Sequence, residues 1–249
     1  MELKGKNAIV TGGLNGLGRS IVERLCREQS NVAIFDIDQE GFNKVRIELP
    51  NVSFCHCDVT NVEQIEQAVD TFYEKVGQID ILVNNAGILY NEPLIKLSSK
   101  GTERHNIQMW HKVLETDLSS VFYMTAHVAE KMIQKRTKGV IVNISSVCAA
   151  GNAGQSAYSA AKAGVNALTA TWAKELGVFG IRTAAVSPGF FDTESTHNVI
   201  NESILKEIMK EIPLRRLGKA EEVAEGVISV IKNDYYSGNV LEITGGLVI

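Results

Sequence analysis

Tyr158, Lys162 and Ser146 are the residues of this chain whose types and spacing are best suited to proton transfer. Tyr158 and Lys162 lie four residues apart, so a helix would place them on one face. A nearby ammonium stabilises a phenolate and lowers a tyrosine pKa from its ordinary value of ~10 towards neutrality. Such a tyrosine can exchange a proton with a carbonyl or alcohol oxygen, to which Ser146 would hydrogen-bond. Because Tyr-x-x-x-Lys pairs also arise by chance, the weight of this pair depends on other motifs.

A glycine-rich segment near the start of the chain is typical of a phosphate-binding turn. Thr11–Gly18 reads TGGLNGLG, follows the apolar run Ala8–Val10 and precedes a helical pattern at Ile21–Leu25. Glycines allow the backbone to turn tightly and approach a pyrophosphate, whose charge meets the free N–H groups of the helix start. The spacing G-x-x-x-G-x-G differs from the common G-x-G-x-x-G, and a structural glycine turn is the alternative. The predicted cofactor contacts here are Gly12, Asn15, Gly16, Leu17 and Gly18.

Asp36 ends the apolar run that starts at Asn31, where the ribose-binding acid of a dinucleotide site is expected. A carboxylate accepts hydrogen bonds from ribose hydroxyls and repels a 2′-phosphate. Asp38 adds negative charge close by, and the sequence between Gly12 and Gly18 contains no Lys or Arg. The charge pattern therefore favours NAD over NADP, and an aspartate that only ends a strand is the ordinary alternative.

Short apolar runs alternate with helical patterns along the whole chain. This alternation predicts an α/β fold, a doubly wound Rossmann-like parallel sheet of seven strands with helices on both faces. The clearest helix follows the capping-box pattern that starts at Thr60, with an apolar stripe at Val62, Ile65, Val69, Phe72 and Val76. The predicted strands are Asn7–Thr11, Asn31–Asp36, Val52–Asp58, Ile79–Asn84, Gly139–Ile144, Ile181–Val186 and Asn239–Ile243. Since the motifs follow strand ends, we expect them to meet at one edge of the sheet.

Composition limits the class of protein. A chain of 249 residues with 45% hydrophobic and 22% charged residues can form a single domain, which we place at residues 1–249. The net charge of −4 gives no reason to expect nucleic acid or a membrane as partner. Four cysteines do not indicate a disulfide framework, so we expect a reduced protein in the cytoplasm. Cys55-His56-Cys57 lacks a second ligand cluster, and no metal site is predicted.

With these motifs in view, the chain resembles the short-chain dehydrogenase/reductase family over its whole length. Within that family it is most similar to 3-oxoacyl-thioester reductases and to hydroxyacyl or hydroxysteroid dehydrogenases. The motifs that carry the resemblance are Thr11-Gly12-x-x-x-Gly16-x-Gly18, Asp58-Val59, Asn84-Asn85-Ala86-Gly87, Ser146, Tyr158-x-x-x-Lys162 and Pro188-Gly189.

The resemblance implies further contacts with the cofactor. It gives Tyr158 and Lys162 a place in the cofactor site as well as in catalysis, with Lys162 binding the nicotinamide ribose. The other implied contacts are Asp58 and Val59 at the adenine, Asn85, Ala86 and Gly87 along the cleft, and Pro188, Gly189, Phe191 and Thr193 at the nicotinamide.

Asp117 departs from the family pattern, which has an asparagine at this position. That asparagine is thought to hold a water in a proton relay to the active-site lysine and to support a break in the helix. A carboxylate has no amide donor. We expect it to hold Lys162 more firmly and partly offset the effect of this lysine on Tyr158, which retunes the relay.

Two segments are candidates for substrate selection, and a surface excursion is the alternative for each. One is Ile88–Ile107, whose Ser98–Asn106 stretch is unusually long and polar for the family, and the other is a predicted lid at Thr193–Pro213. His105 and His111 are expected to be exposed residues of a helix or loop and not ligands.

The small residues of the helix after Tyr158 pack on the sheet or form a subunit interface, and by family analogy we expect a homotetramer.

The motifs and the family resemblance together predict an NAD(H)-dependent oxidoreductase. It would transfer a hydride between nicotinamide and a secondary alcohol or ketone. A 3-oxoacyl or 3-hydroxyacyl thioester is one expected small-molecule substrate, and a steroid, a sugar or a small hydroxy compound is another. The alternative is a non-catalytic NAD(H)-binding sensor or scaffold of the same fold. Such a protein need not keep Ser146, Tyr158 and Lys162 together.

Overall fold

The computed structural model describes residues 1–99 and 101–249, apart from the side chain of Ser98. Within these residues a seven-stranded sheet forms the centre of the molecule, and all its strand pairs are parallel. The strands in chain order are β1 (Asn7–Thr11), β2 (Asn31–Asp36), β3 (Ser53–His56), β4 (Ile81–Asn84), β5 (Ile95–Ser98), β6 (Gly101–Arg104), β7 (Val140–Ile144), β8 (Arg182–Pro188) and β9 (Val240–Ile243). The sheet order is β3-β2-β1-β4-β7-β8-β9, which confirms the predicted doubly wound fold. Each predicted sheet strand is present with bounds that differ by at most two residues.

Helices cover both faces of this sheet. They are α1 (Gly16–Arg27), α2 (Gln39–Glu48), α3 (Val62–Val76), α4 (Ile107–Leu114), α5 (Ser120–Lys135), α6 (Ser156–Gly177), α7 (Glu194–Val199), α8 (Glu202–Glu211) and α9 (Ala220–Lys232). A π-helical segment, Glu115–Ser119, joins α4 to α5. Among the described helices, none is long and apolar enough to cross a bilayer.

The central strands are buried on both faces, which explains their continuous apolar runs. Successive residues of β1 point to opposite sides, so Val10 packs in one hydrophobic cluster and Ile9 in the other. The first cluster contains residues of α1 and α9, and the second contains residues of α3 and α5. Two cores therefore hold the sheet rigidly and fix the positions of its carboxyl ends.

The start of α3 differs from the predicted capping box. Asn61, not Thr60, caps the helix, and its side chain accepts a hydrogen bond of 3.0 Å from the Gln64 amide. Thr60 instead donates its hydroxyl to Asp58 at the end of the preceding loop. The predicted burial of Ile65 is confirmed. Val62, which the predicted apolar stripe also included, is 42% exposed because it lies on the first turn of the helix, beside solvent.

The segment between β4 and α4 contains an antiparallel hairpin that the sequence did not predict. Strands β5 and β6 pair from Ile95 opposite Arg104 to Ser98 opposite Gly101, within the Ile88–Ile107 segment that was predicted as a candidate for substrate selection. The polar Ser98–Asn106 stretch supplies one of these strands, and its Lys100 lies outside the described residues. The prediction for His105 is wrong: it is only 6% exposed because its Nδ1 contacts the Glu92 carbonyl and its ring meets Tyr90 edge-on.

Candidate active site

A cleft of about 750 Å³ runs along the carboxyl edge of the sheet. The parallel strands all end on this side, so the loops that follow them meet here. The structure brings every residue that the sequence assigned to the site into the lining of this one cleft. These residues are Gly12, Asn15, Gly16, Leu17, Gly18, Asp36, Asp58, Val59, Asn85, Ala86, Gly87, Asp117, Ser146, Tyr158, Lys162, Pro188, Gly189, Phe191 and Thr193.

The glycine turn lies between β1 and α1 at one end of the cleft. Gly12 and Gly16 have φ angles of +63° and +54°, a left-handed conformation that favours glycine. A Cβ on Gly18 would overlap the Gly12 carbonyl oxygen and the Asn85 side chain. Asn15 precedes α1 without making a side-chain capping bond in the described structure, so the first amides of α1 stay available for an anion.

Asn85 has a structural task that the sequence did not reveal. Its Nδ2 donates to the carbonyls of Thr11 and Gly12, at 3.0 and 2.9 Å. Thr11 in turn accepts hydrogen bonds from the amides of Asn85 and Ala86 through its hydroxyl. These bonds fasten the loop after β4 to the glycine turn. Thr11 was quoted as part of the motif but not as a site residue, because its partners are far away in sequence.

Asp36 lies at the carboxyl end of β2, half-buried in the cleft lining. Burial raises the pKa of its carboxyl, while the backbone amides of Asp38, Ile37 and Leu14 act in the opposite direction. Arg19 is the first cation after the glycine turn, and it is engaged by Glu23 at 2.7 Å and by Glu48 at 2.6 Å. In the described lining, the only cationic side chains are Lys112 and Lys162.

Tyr158 and Lys162 project from the first turns of α6, and Ser146 follows β7. The Lys162 Nζ lies 5.5 Å from the centroid of the Tyr158 ring and donates to the Ile144 carbonyl at 3.0 Å. Ser146 accepts a hydrogen bond from the Cys148 amide, which fixes its hydroxyl at the strand end. The i, i+4 spacing therefore places the phenol and the ammonium together, as the sequence indicated.

The predicted lowering of the Tyr158 pKa is wrong for this structure. Burial raises the pKa of the phenol above its ordinary value, and the Asp117 carboxylate raises it further, against a smaller opposite effect of Ser146. The main physical reason is burial of the phenol, and the ammonium of Lys162, which is held by Ile144 and Asp117 and faces the ring, does not offset it. The phenol is therefore protonated at neutral pH.

Asp117 lies in the π-helical segment and is fully buried. Its Oδ1 accepts a hydrogen bond of 2.8 Å from the Ile88 amide, and its Oδ2 lies 3.4 Å from the Lys162 Nζ. Burial raises the pKa of this carboxyl, and Lys162 and the Ile88 amide oppose that shift. The predicted proximity of Asp117 to Lys162 is confirmed.

Comparison with known proteins identifies the family to which this chain belongs. Residues 6–203 match the family model described as short chain dehydrogenase. The chain belongs to this family. It is 38% identical over 256 residues to the 3-oxoacyl-[acyl-carrier-protein] reductase FabG of Thermotoga maritima, covering 100% of both chains. It is 36% identical to the protein of the same name from Chlamydia pneumoniae, covering 99% of this chain and 98% of that one.

A solved structure gives a similar result. The crystal structure of a putative gluconate dehydrogenase from Agrobacterium tumefaciens superposes with a TM-score of 0.91 at 29% identity, covering 99% of this chain and 97% of that one. Membership of the family confirms the prediction of an oxidoreductase and implies a nicotinamide cofactor.

Proposed function

We propose that this enzyme reduces 3-oxoacyl thioesters with NADH, the reverse reaction being oxidation of the 3-hydroxyacyl product. The observation that carries the proposal is the presence of Ser146, Tyr158 and Lys162 in the same cleft as the glycine turn and Asp36. A sensor that only binds the dinucleotide does not require this proton-transfer group. The names of the relatives in Thermotoga maritima and Chlamydia pneumoniae support the same substrate class.

The cleft fits a dinucleotide at both of its ends. The open space in front of Gly16, where a Cβ would meet only Thr193 near 4 Å, suits a pyrophosphate against the amides of α1. Pro188, Gly189, Phe191 and Thr193 follow β8 and would hold the nicotinamide, with Asp58 and Val59 at the adenine. When bound, the nicotinamide supplies or accepts the hydride.

We propose NAD(H) rather than NADP(H) because of the charges at the end of β2. Asp36 would accept hydrogen bonds from the ribose hydroxyls and would repel a 2′-phosphate. The nearby cation Arg19 already has two carboxylate partners and does not line the cleft. No described lining residue near Asp36 supplies the positive charge that a 2′-phosphate requires.

The proton chemistry follows from the geometry of Tyr158. The phenol is protonated at neutral pH, so it can donate a proton to the oxygen of a carbonyl that is being reduced, although its raised pKa makes it a weaker acid than a free tyrosine. Ser146 would hold that oxygen by a hydrogen bond. Lys162, fixed by Ile144 and Asp117, would bind ribose hydroxyls and provide positive charge beside the phenolate that forms.

The cleft favours an acyl substrate over a polyhydroxylated one. Apolar side chains share the lining with Ser146 and Tyr158, among them Ile88, Leu89 and Ile200. The side-chain amide of Gln155, a polar group in the same lining, already forms hydrogen bonds with two other side chains of the protein. A sugar would need unengaged donors and acceptors for its hydroxyls, since unpaired polar groups cost free energy when they are buried.

The experiment is an NADH-coupled assay with a short 3-oxoacyl thioester and with an oxidised sugar acid as substrates. We expect the kcat/KM for the thioester to exceed that for the sugar acid by at least ~100-fold. This ratio corresponds to a difference of about 2.7 kcal/mol in the free energy of the transition state. Preference for the sugar acid would contradict the acyl proposal. Tight NADH binding without turnover of either class would favour the sensor alternative.

We also propose a homotetramer. The exposed surface of α6 consists largely of small residues such as Ala160, Ala163 and Ala167, and Phe122 on the neighbouring helix α5 is 50% exposed. Small side chains allow the close approach of a second helix, and an exposed aromatic residue suits a subunit interface. Light scattering coupled to size-exclusion chromatography measures the mass, and a monomer would contradict this proposal.

A cytoplasmic location remains our proposal. All four cysteines are free thiols, and Cys57 and Cys148 are buried. Free cysteines are typical of reducing compartments. Fractionation of cells that express the protein would test this directly.

A further inference from the structure

Gln155 is a buried polar residue that the proposed chemistry does not use. It immediately precedes α6, the helix that carries Tyr158 and Lys162, and its exposed fraction is 4%. It also lies in the lining of the cleft. Burial of an amide side chain is costly unless its donor and its acceptor are both satisfied, so its partners indicate its task.

Both ends of the Gln155 side chain bind other amides. Its Nε2 donates to the Asn91 Oδ1 at 2.7 Å, and its Oε1 accepts a hydrogen bond of 3.0 Å from the Asn152 Nδ2. The main chain adds to this arrangement, because the Gln155 amide donates to the Asn152 carbonyl at 3.1 Å. We call the three side chains of Asn91, Asn152 and Gln155 the amide clamp.

The amide clamp closes the loop that connects two residues of the proposed proton-transfer group. Ser146 begins this loop and Tyr158 follows it. Within the loop, the Asn152 amide donates to the Ser159 hydroxyl at 3.2 Å, and its Nδ2 lies 3.7 Å from the Cys148 Sγ. The loop is thus fastened at both of its ends.

The clamp also joins this loop to the segment that follows β4 and contributes Ile88 and Leu89 to the cleft lining. Asn91 follows the lining residues Ile88 and Leu89, and its neighbour Glu92 donates its amide to the Gly154 carbonyl at 2.7 Å. Glu92 and Gln155 form an isolated parallel bridge. Movement of the Gln155 side chain would therefore change this segment and the proton-transfer group together.

We propose that Gln155 is a positioning residue that, through Asn91 and Asn152, fixes the separation between Ser146 and Tyr158. This inference rests on the proposed function, in which both hydroxyls contact the same substrate oxygen. An error of about 1 Å in such an arrangement can reduce the rate ~100-fold. An amide suits the position because it donates on one side and accepts on the other.

A double-mutant cycle tests the clamp with nearly isosteric changes. Asn91→Asp keeps the acceptor for the Gln155 Nε2. Gln155→Glu keeps the acceptor for Asn152, and Asn91 can rotate its amide to donate to the new carboxylate. The two changes together place two carboxylates where a hydrogen bond of 2.7 Å was, which disrupts the clamp.

We expect the loss of kcat in the double variant to exceed the product of the losses in the two single variants by about tenfold or more. The Kd of NADH should change less than about twofold, because the clamp lies away from the glycine turn and Asp36. Lower pH should restore part of the lost rate, since protonation of one carboxyl re-forms a hydrogen bond. The control is Asn233→Asp combined with Gln67→Glu, which adds the same charge at two exposed positions.

Amide hydrogen exchange over residues 147–159 provides a readout that does not depend on turnover. It should increase in the double variant and stay at the wild-type level in the control. A double variant with wild-type kcat and exchange would overturn the inference, and so would faster exchange throughout the protein with a parallel loss of NADH binding. If the wild type reduced no substrate but the exchange changed locally as described, the clamp would stand and the proposed function would fail.

Discussion

Replacing Asp117 by asparagine would exchange a buried carboxylate for a neutral side chain of almost the same shape. The carboxylate lies 3.4 Å from the Lys162 Nζ, which in turn lies 5.5 Å from the centroid of the Tyr158 ring. The carboxylate is thus roughly 9 Å or less from the ring centroid, and a charge at about 9 Å with an effective dielectric constant of about 20 disfavours the phenolate by ~1.8 kcal/mol. That free energy corresponds to a shift of the Tyr158 pKa by about one unit or slightly more.

The sign of the effect follows from the charge that is removed. The carboxylate raises the pKa of Tyr158, so Asp117→Asn should lower it. Ketone reduction needs the protonated phenol, and its rate is lost as the pH rises through this pKa. The alkaline limb of reduction should therefore move down by about one pH unit in the variant, and the onset of alcohol oxidation should move in the same direction.

The assay is the pH dependence of kcat/KM in both directions, with the Kd of NADH measured by fluorescence. Asparagine retains an oxygen that can accept the Ile88 amide hydrogen bond, so the fold of the π-helical segment should persist. A limb that does not move, or that moves upward, would refute the electrostatic reasoning. An increase in the Kd of tenfold or more would show that Asp117 supports the helix and the cofactor cleft, outside the proton path.

Three further predictions test the site. Tyr158→Phe should reduce turnover by ~10²–10⁴-fold with nearly unchanged NADH binding, and a variant that keeps a tenth of the wild-type rate would exclude the proposed proton donor. Asp36→Ala should reduce the ratio of kcat/KM for NADH to kcat/KM for NADPH by about tenfold or more, since a hydrogen bond to a charged group contributes ~1.5 kcal/mol or more. Equal use of both cofactors by the wild type would contradict the charge argument. Gly18→Ala should weaken NADH binding and lower the Tm by several degrees, for an overpacking cost of ~1–3 kcal/mol. Gly177→Ala, where a Cβ would meet open space, is the matched control, and an equal effect of both changes would disprove the close-approach explanation.

The sheet and its edge could be predicted from the sequence because their pattern is local. Runs such as Asn31–Asp36 have an apolar, buried interior between two polar end residues, so the strand and the position of Asp36 at its end follow together. The β5–β6 hairpin could not be predicted in this way. Its residues with described side chains are all exposed, and the apolar–polar alternation of Ile95–Ser98 covers only four residues and buries neither of its faces in a core.

Side-chain partners far apart in sequence account for the remaining differences. The burial of His105 depends on Glu92 and Tyr90, which lie on the other side of the hairpin. The helical spacing of Tyr158 and Lys162 predicted their proximity, but the direction of the Tyr158 pKa depends on burial of the phenol and on the Asp117 carboxylate. The spacing within α6 reveals neither, because the burial arises from the packed fold and Asp117 lies in the π-helical segment.

The same reasoning explains why Asp117 and Gln155 have different relations to Tyr158. Asp117 contacts Lys162 and acts on the charge of the phenol, so its replacement should move a pH profile and leave the geometry in place. Gln155 holds the loop before α6 through neutral hydrogen bonds, so disruption of its clamp should reduce the kcat that is reached below the alkaline limb. A double variant that kept the wild-type kcat below the alkaline limb and only shifted that limb would show that its new carboxylates act through charge, and it would contradict the geometric role. The pH profile therefore separates the electrostatic role from the geometric one.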